Sequence, residues 1–421
     1  MILYRAAWIL PIFTTPLRGG WVLTDGGRVI GCAAFAGQNP AGFGAPGAPD
    51  ARPEGRTAVV GSEAIETIDL GDVAILPGLV NAHTHLELSW MRQQVPPSDS
   101  MPAWASRLLS LRRGVAADPP GPIADAIREV RAAGTSLVGD VTNTLAAYDV
   151  LADSDLAAAV FREILGFNLP NPEQAVRDAE AQLETLMPRA WLRPSVVPHA
   201  PYSVSPALFR AIAGAAGGRP MSVHLGESPD EVQFLRDGTG AWRELLGGLG
   251  AWNDRWQPPG CGPVEYLDRL GLVNRRLLAV HATQLEDGEL ARLAAAGATV
   301  VTCPRSNRWT GAGTPPIDRF YASGVRVTIG TDSLASVDDL NLFAELAEVR
   351  RLCPGIPAAR LLESATIHGA AALGFADDYG SIEPGKRADL IAVRVPHAVE
   401  DVEEYPVSGL QPDVIQWLDS D

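Results

Sequence analysis

Eight short apolar runs, separated by stretches with helical patterning, constrain this fold more than any other feature. They cover residues 75–80, 135–141, 158–165, 193–198, 220–225, 277–282, 298–303 and 325–330. Runs of this length bounded by turn signals read as buried strands. Residues 122–133 and 287–296 carry helical periodicity and stop at Gly134 and Gly297, good residues for ending a helix. Eight β/α units predict an α/β chain built as a TIM-type (β/α)8 barrel. A doubly wound sheet is the alternative, and it too would place chemistry at strand C-termini.

The two ends of the chain read differently. Residues 1–73 pattern as short strands and turns, with an Asp-Gly hairpin signal at Leu23-Thr24-Asp25-Gly26-Gly27-Arg28-Val29-Ile30. The apolar stretch 6–17 is broken by Pro11 and lacks a basic leader, so it reads as a first strand rather than a signal peptide. Residues 37–56, rich in Gly, Pro and Ala, read as a long surface loop. Gly385-Lys386-Arg387-Ala388-Asp389-Leu390 again reads as turn then strand, and residues from 400 onward are acidic with few signals. The expected organisation is a composite β-sandwich of residues 1–73 and 378–421, with the barrel, residues 74–377, inserted between them.

A chain of 421 residues has room for both parts. Its net charge of −16 argues against nucleic acid or an anionic membrane as partner. The four cysteines, Cys32, Cys261, Cys303 and Cys353, are far apart and suit a reduced, cytoplasmic protein. One lysine, Lys386, occurs in the whole chain.

The strand ends carry the chemistry. His83-Thr84-His85 closes the first run, and alternation on a strand turns both imidazoles to one face. The fourth run ends in His199, the fifth in His224 with Glu227 three residues on, the sixth in His281 and the eighth in Asp332. Five of the seven histidines therefore lie where a barrel gathers its reactive groups. The other two, His368 and His397, read as structural or surface residues. His83, His85, His224 and Asp332 form a nitrogen-rich set suited to one divalent ion, Zn²⁺ first, with Fe²⁺, Co²⁺ or Mn²⁺ also compatible. A bound metal lowers the pKa of its water to roughly 7. Glu227 reads as a proton shuttle beside that ion; the structural alternative is a helix-start carboxylate favoured by the dipole.

These residues carry a resemblance over nearly the whole chain. Pro77-Gly78-Leu79-Val80-Asn81-Ala82-His83-Thr84-His85, Pro198-His199-Ala200-Pro201-Tyr202-Ser203, His224-Leu225-Gly226-Glu227, Val280-His281-Ala282, Cys303-Pro304-Arg305-Ser306-Asn307, Gly330-Thr331-Asp332-Ser333 and Gly385-Lys386-Arg387-Ala388-Asp389-Leu390 occur in the order found in the amidohydrolase superfamily. The resemblance implies the same barrel and composite sandwich. Its binuclear members bridge two metals through a carbamylated lysine on the fourth strand. No barrel strand here offers a lysine and residues 193–206 hold no glutamate, so a mononuclear site is expected.

The chain resembles most the branch that includes deaminases of S-adenosylhomocysteine, methylthioadenosine and aminofutalosine, with triazine chlorohydrolases as neighbours. That resemblance implies metal ligands His83, His85, His224 and Asp332, proton transfer by Glu227, and orientation of the attacking oxygen by His281. It implies substrate contact by His199 and metal-activated attack of water at C6 of an adenine-like ring, releasing ammonia. Ser306 and Asn307 are expected to shape the loop after the seventh strand.

Glu87 is expected to accept hydrogen bonds from ribose hydroxyls, the alternative being a carboxylate facing solvent; the string His-Thr-His-Leu-Glu resembles that of aminofutalosine deaminases, which implies 6-aminodeoxyfutalosine and hence menaquinone biosynthesis. Arg92, Arg107, Arg305 and Arg308 are the arginines nearest in sequence for its benzoate. Residues 238–263, with Trp242, Trp252 and Trp256, either cover the pocket or pack a helical insertion. The alternatives are deamination of S-adenosylhomocysteine, methylthioadenosine, adenosine or guanine, dechlorination, or a metal-free scaffold. A small-molecule nucleoside is the expected partner, with a homodimer left open.

Overall fold

The computed structural model describes residues 1–34, 58–60, 63–115 and 117–418. The loop expected at 37–56 lies outside the described residues. Among the described residues six strands form before the barrel: β1 (Ile2–Ile9), β2 (Leu17–Asp25), β3 (Arg28–Ala34), β4 (Ala58–Val60), β5 (Glu63–Asp69) and β6 (Val73–Pro77). The barrel strands are β7 (Leu79–Thr84), β8 (Thr135–Thr142), β9 (Ala157–Ile164), β10 (Leu192–Pro198), β11 (Met221–Leu225), β12 (Leu277–His281), β13 (Thr299–Thr302) and β14 (Arg326–Ile329). The C-terminal region adds β15 (Leu390–Arg394) and β16 (Ile415–Trp417).

All eight expected barrel strands form, in two parallel arcs ordered β7-β8-β9-β10 and β11-β12-β13-β14. Their residues are almost wholly buried, as strands covered on both faces by core and helices must be. The arcs meet at two seams, and site residues sit on both. His224 N donates to His199 O at 2.9 Å, and Asp332 N donates to His83 O at 3.0 Å. Helices form at Pro120–Ala132 and Asp287–Ala295 as the periodicity predicts. Gly134 and Gly297 follow them at φ +82° and +70°, the left-handed region open to glycine.

The first apolar run divides in two. Residues before Gly78 belong to β6, which pairs with β1 and β15, and residues after it open the barrel as β7. Gly78 marks the crossing. Its N–H still donates to Asp389 O at 2.8 Å, while a Cβ there would lie 2.6 Å from the Ser136 Cβ and 2.8 Å from the Trp417 ring. An unbroken apolar pattern hides this division because both halves are buried.

The terminal sheet joins both chain ends in the order β16-β15-β6-β1-β2-β3, with β5 pairing along the first half of β1 and β4 pairing with β5. The hairpin forms between β2 and β3, but its central residues are Gly26 and Gly27, both at positive φ, rather than Asp25-Gly26. The stretch 6–17 is not one strand: β1 stops at Ile9, before Pro11. The signal-poor tail still supplies β16. Trp417 there donates from Nε1 to Arg131 O at 2.7 Å, and the Arg131 guanidinium lies 3.5 Å over its ring. No helix among the described residues is long and apolar enough to cross a membrane.

Candidate active site

At the C-terminal ends of the barrel strands, five predicted histidines and Asp332 converge. Ring centroids lie 4.9 Å apart for His83 and His85, 4.9 Å for His83 and His224, 5.6 Å for His85 and His224, and 5.4 Å for His224 and His281. Asp332 Oδ1 is 3.6 Å from His85 Nε2 and 3.9 Å from His83 Nε2. Ligating atoms of His83, His85 and Asp332 all lie within 4.8 Å of one another, as do those of His83, His224 and His281.

The donor set fits one divalent cation. His83 is fully buried, and neither ring nitrogen has a hydrogen-bond partner among the described residues. A buried imidazole with both nitrogens unmet is costly unless an ion takes one of them. Burial first, then the neighbouring His85, His281 and His199, push His83 well below the usual histidine pKa. Burial and His199 do the same to His224, so both rings are neutral and competent as ligands.

Neighbouring groups aim this set. His224 Nδ1 lies 3.2 Å from His199 O, which leaves Nε2 for the cluster. Ser306 Oγ donates to Asp332 Oδ2 at 2.6 Å, and Ser333 N donates to Oδ1 at 2.8 Å. Asn307 Nδ2 lies 3.1 Å from His281 Nδ1; an amide nitrogen donates, so the imidazole proton sits on Nε2. Ser306 and Asn307, expected only to shape a loop, thus hold the two side chains that close the site. His281 and Asp332 have φ of +72° and +64°, strained values for side-chain-bearing residues of the kind that collects at functional sites.

Glu227 is buried beside the cluster. Its Oε1 lies 3.3 Å from His281 Nε2, and its buried Oε2 has no hydrogen-bond partner among the described residues. Burial, reinforced by Asp332 and Glu231, pushes its carboxyl well above the usual range. Its backbone is pinned as well. Glu231 Oε1 accepts from Gly226 N at 2.8 Å and Oε2 from Glu227 N at 3.0 Å. Ser228 caps the helix Pro229–Asp237. The helix-start alternative for Glu227 therefore goes to Ser228 and Glu231.

A cavity of about 340 Å³ opens over the cluster. His85, His199, His224, Glu227, His281 and Asp332 line its floor. Leu88, Trp104 and Leu108 line one wall, and Leu245 and Leu246 of the helix Ala241–Gly248 line another. Trp242 lines the cavity too, stacked on Tyr202 at 3.7 Å between centroids. Trp252 and Trp256 stack instead on Phe167 and Phe234. The segment thus gives one tryptophan to the cavity wall and two to an aromatic cluster beside it.

Glu87 does not line the cavity. It is buried on the turn Leu86–Met91, and both its oxygens are taken. Oε1 accepts from Arg112 Nη2 at 2.5 Å and from Asn143 N at 2.9 Å, and Oε2 accepts from Thr142 Oγ1 and Thr144 N. Spacing alone cannot say that this carboxylate turns away from the metal pair. The residues that do line the cavity on that side are Arg112, Asn143 and Glu163, none flagged by the sequence. The four arginines considered for a substrate anion are elsewhere: Arg92 pairs with Glu129, Arg305 with Asp339, Arg308 with Glu348, and Arg107 is exposed. His368 meets Val327 O and His397 is exposed beside Asp72, in keeping with structural and surface roles. Lys386 is held by Ser381 and Glu383 in the terminal region.

The match to known proteins agrees with this geometry. Residues 74–415 match the model of the amidohydrolase family. The chain belongs to the amidohydrolase family. It is 35% identical over 312 residues to an aminodeoxyfutalosine deaminase of Deinococcus radiodurans, covering 71% of this chain and 73% of that one. It is 30% identical to a 5-methylthioadenosine/S-adenosylhomocysteine deaminase of Moorella thermoacetica, covering 84% and 83% of the two chains. Among solved structures, an adenosine deaminase from Xanthomonas campestris with bound zinc superposes with a TM-score of 0.77 at 26% identity, covering 98% of this chain and 90% of that one. The resemblance read from the motifs and the barrel fold are both borne out, and the chain is a hydrolase of this family.

Proposed function

We propose that this amidohydrolase is a metal-dependent deaminase of an adenine-containing nucleoside, and that 6-aminodeoxyfutalosine is its substrate, placing it in menaquinone biosynthesis. The observation that carries the deaminase reading is the Glu227 carboxyl, buried against His281 with one oxygen unmet beside the cluster. The substrate choice is supported by the Deinococcus relative and by an apolar cavity wall suited to an aryl tail. A second reading, deamination of 5-methylthioadenosine or S-adenosylhomocysteine, is favoured by the Moorella relative.

His83, His85, His224 and Asp332 would hold one divalent ion, zinc by their nitrogen-rich set and by the zinc of the Xanthomonas structure, with iron the alternative. Such an ion supplies Lewis-acid activation of a water molecule at neutral pH. Glu227 takes a proton from the attacking water at Oε2 and delivers it to a ring nitrogen. It then carries the second proton to the exocyclic amine, which leaves as ammonia. The proton on His281 Nε2 faces the oxygen being added and stabilises charge there. His199, at the cavity floor, contacts the non-reacting part of the substrate. The reading carries a cytoplasmic location, since all four cysteines are unpaired.

The test is ammonia release from a panel of 6-aminodeoxyfutalosine, S-adenosylhomocysteine, methylthioadenosine and adenosine. The reading expects the first to have the highest kcat/KM. A higher value for methylthioadenosine or S-adenosylhomocysteine would move the assignment to the second reading.

A further inference from the structure

The ends of β8, β9 and β10 carry polar groups that take no part in the proton transfers above. Glu227 and His281 stand after β11 and at the end of β12, so the ring under attack lies on that side of the cluster. The rest of the nucleoside then faces Asn143, Glu163 and His199, all of which line the cavity. Glu163 is a buried carboxylate, its side chain 4% exposed. Its Oε2 accepts from Asn143 Nδ2 at 2.9 Å, and Asn143 Oδ1 accepts from Arg112 Nη1 at 3.1 Å. This chain of contacts fixes the carboxylate and leaves Oε1 to the cavity, 3.5 Å from His224 Nδ1.

His199 offers the same kind of group. Ser203 Oγ lies 2.5 Å from His199 Nδ1 and 3.2 Å from Ala200 O, and with its one proton on Ala200 O it accepts from His199 Nδ1. His199 Nε2 is then a bare acceptor. Ligating atoms of Glu163, His199 and His224 lie within 4.8 Å of one another. Two acceptors side by side call for a ligand that brings two donors, and adjacent hydroxyls on a furanose do so.

We infer that Glu163, together with His199, is the specificity-determining acceptor for the vicinal diol of the nucleoside sugar, the role the sequence suggested for Glu87. This rests on the nucleoside reading above and adds to it a requirement for a ribose with both hydroxyls free.

The experiment measures binding rather than turnover. Zinc-loaded E227Q is titrated calorimetrically with adenosine, 2′-deoxyadenosine and 3′-deoxyadenosine, alongside E227Q/E163Q. Removing either hydroxyl should weaken binding to E227Q by roughly 10- to 100-fold, the scale of a hydrogen bond to a charged group. In E227Q/E163Q the same removal should cost less than about 3-fold, with zinc content unchanged. N143A in the E227Q background frees Oε2 and should erode the discrimination in the same direction. Equal hydroxyl penalties in the variants would overturn the inference, as would no penalty in E227Q itself or no measurable adenosine binding. Loss of zinc on E163Q would also overturn it, because Glu163 would then act by orienting His224, and so would uptake of a second zinc equivalent lost with E163Q. Failure of the wild-type enzyme to release ammonia from any adenine nucleoside would count against the deaminase reading alone and leave the diol comparison standing.

Discussion

Asn307 and Glu227 stand at the two ring nitrogens of His281 and favour the same tautomer. Asn307 fixes its proton on Nε2, and Glu227 Oε1 waits 3.3 Å from that nitrogen. Asn307→Leu removes the amide donor and frees the ring to turn or change tautomer. We expect kcat to fall by roughly 10- to 100-fold with metal content unchanged, the usual cost of losing an orienting partner; steady-state kinetics with metal analysis checks this. Glu227→Gln keeps the shape but cannot take a proton. Turnover should drop by about 10²- to 10⁴-fold while the folded, metal-loaded protein persists. Full activity in that variant would refute the shuttle assignment. The histidines and Asp332 were legible in the sequence because each follows an apolar run, where a barrel gathers its chemistry. Glu163 was not: glutamate at a strand end carries no signal of its own, and only the packing of Asn143 against it turns it to the cavity. Glu87 stood next to the metal pair in sequence, yet Thr142 at the end of β8 and Asn143 and Thr144 just after it draw it away.

Between elements, the close approach of β14 to β7 sets the ligand geometry. A Cβ on Gly330 would lie 2.8 Å from the His83 Cβ and 2.9 Å from its carbonyl oxygen. Gly330→Ala therefore has to push a ligand strand aside. It should cost about 1–3 kcal/mol of stability and weaken metal binding, read by thermal melting and by metal titration. The helix Leu342–Leu352 carries a second liability. Burial raises Glu345 from the usual carboxyl range to about 8, against the pull of Arg305. A carboxyl whose pKa is raised by folding holds its proton more tightly in the fold. Its contribution is complete below its ordinary value and lost as pH rises through about 8. Glu345→Gln should thus melt with a flatter pH dependence than wild type between pH 5 and 8; an unchanged slope would show that Glu345 is not the group responsible. The barrel strands were readable at this scale because each carries a short apolar run between turn signals. The division at Gly78 was not readable, since β6 and β7 are both buried and only tertiary contacts distinguish the terminal sheet from the barrel.

The whole molecule joins two chain ends in one sheet and hangs the barrel between β6 and β15. A cation bound by residues from β7, β11 and the end of β14 would tie both arcs of the barrel together. Because it binds only the folded state, its removal should lower stability, by about 4 kcal/mol at a free metal concentration a thousandfold above Kd. A chelator should therefore lower the melting temperature and abolish turnover together, and added zinc should restore both. A composite β-sandwich of both ends was expected from strand patterning, but β16 was missed because a three-residue strand in an acidic tail has no pattern to read. The central claim is that this architecture removes the amino group of an adenine ring. The most direct measurement is ammonia released from 6-aminodeoxyfutalosine by the zinc-loaded enzyme, followed together with the ultraviolet change from adenine to hypoxanthine. The account predicts one ammonia per ring converted, with Glu227→Gln nearly silent; a folded, zinc-loaded enzyme that leaves this and every other adenine nucleoside in the panel unchanged would contradict it.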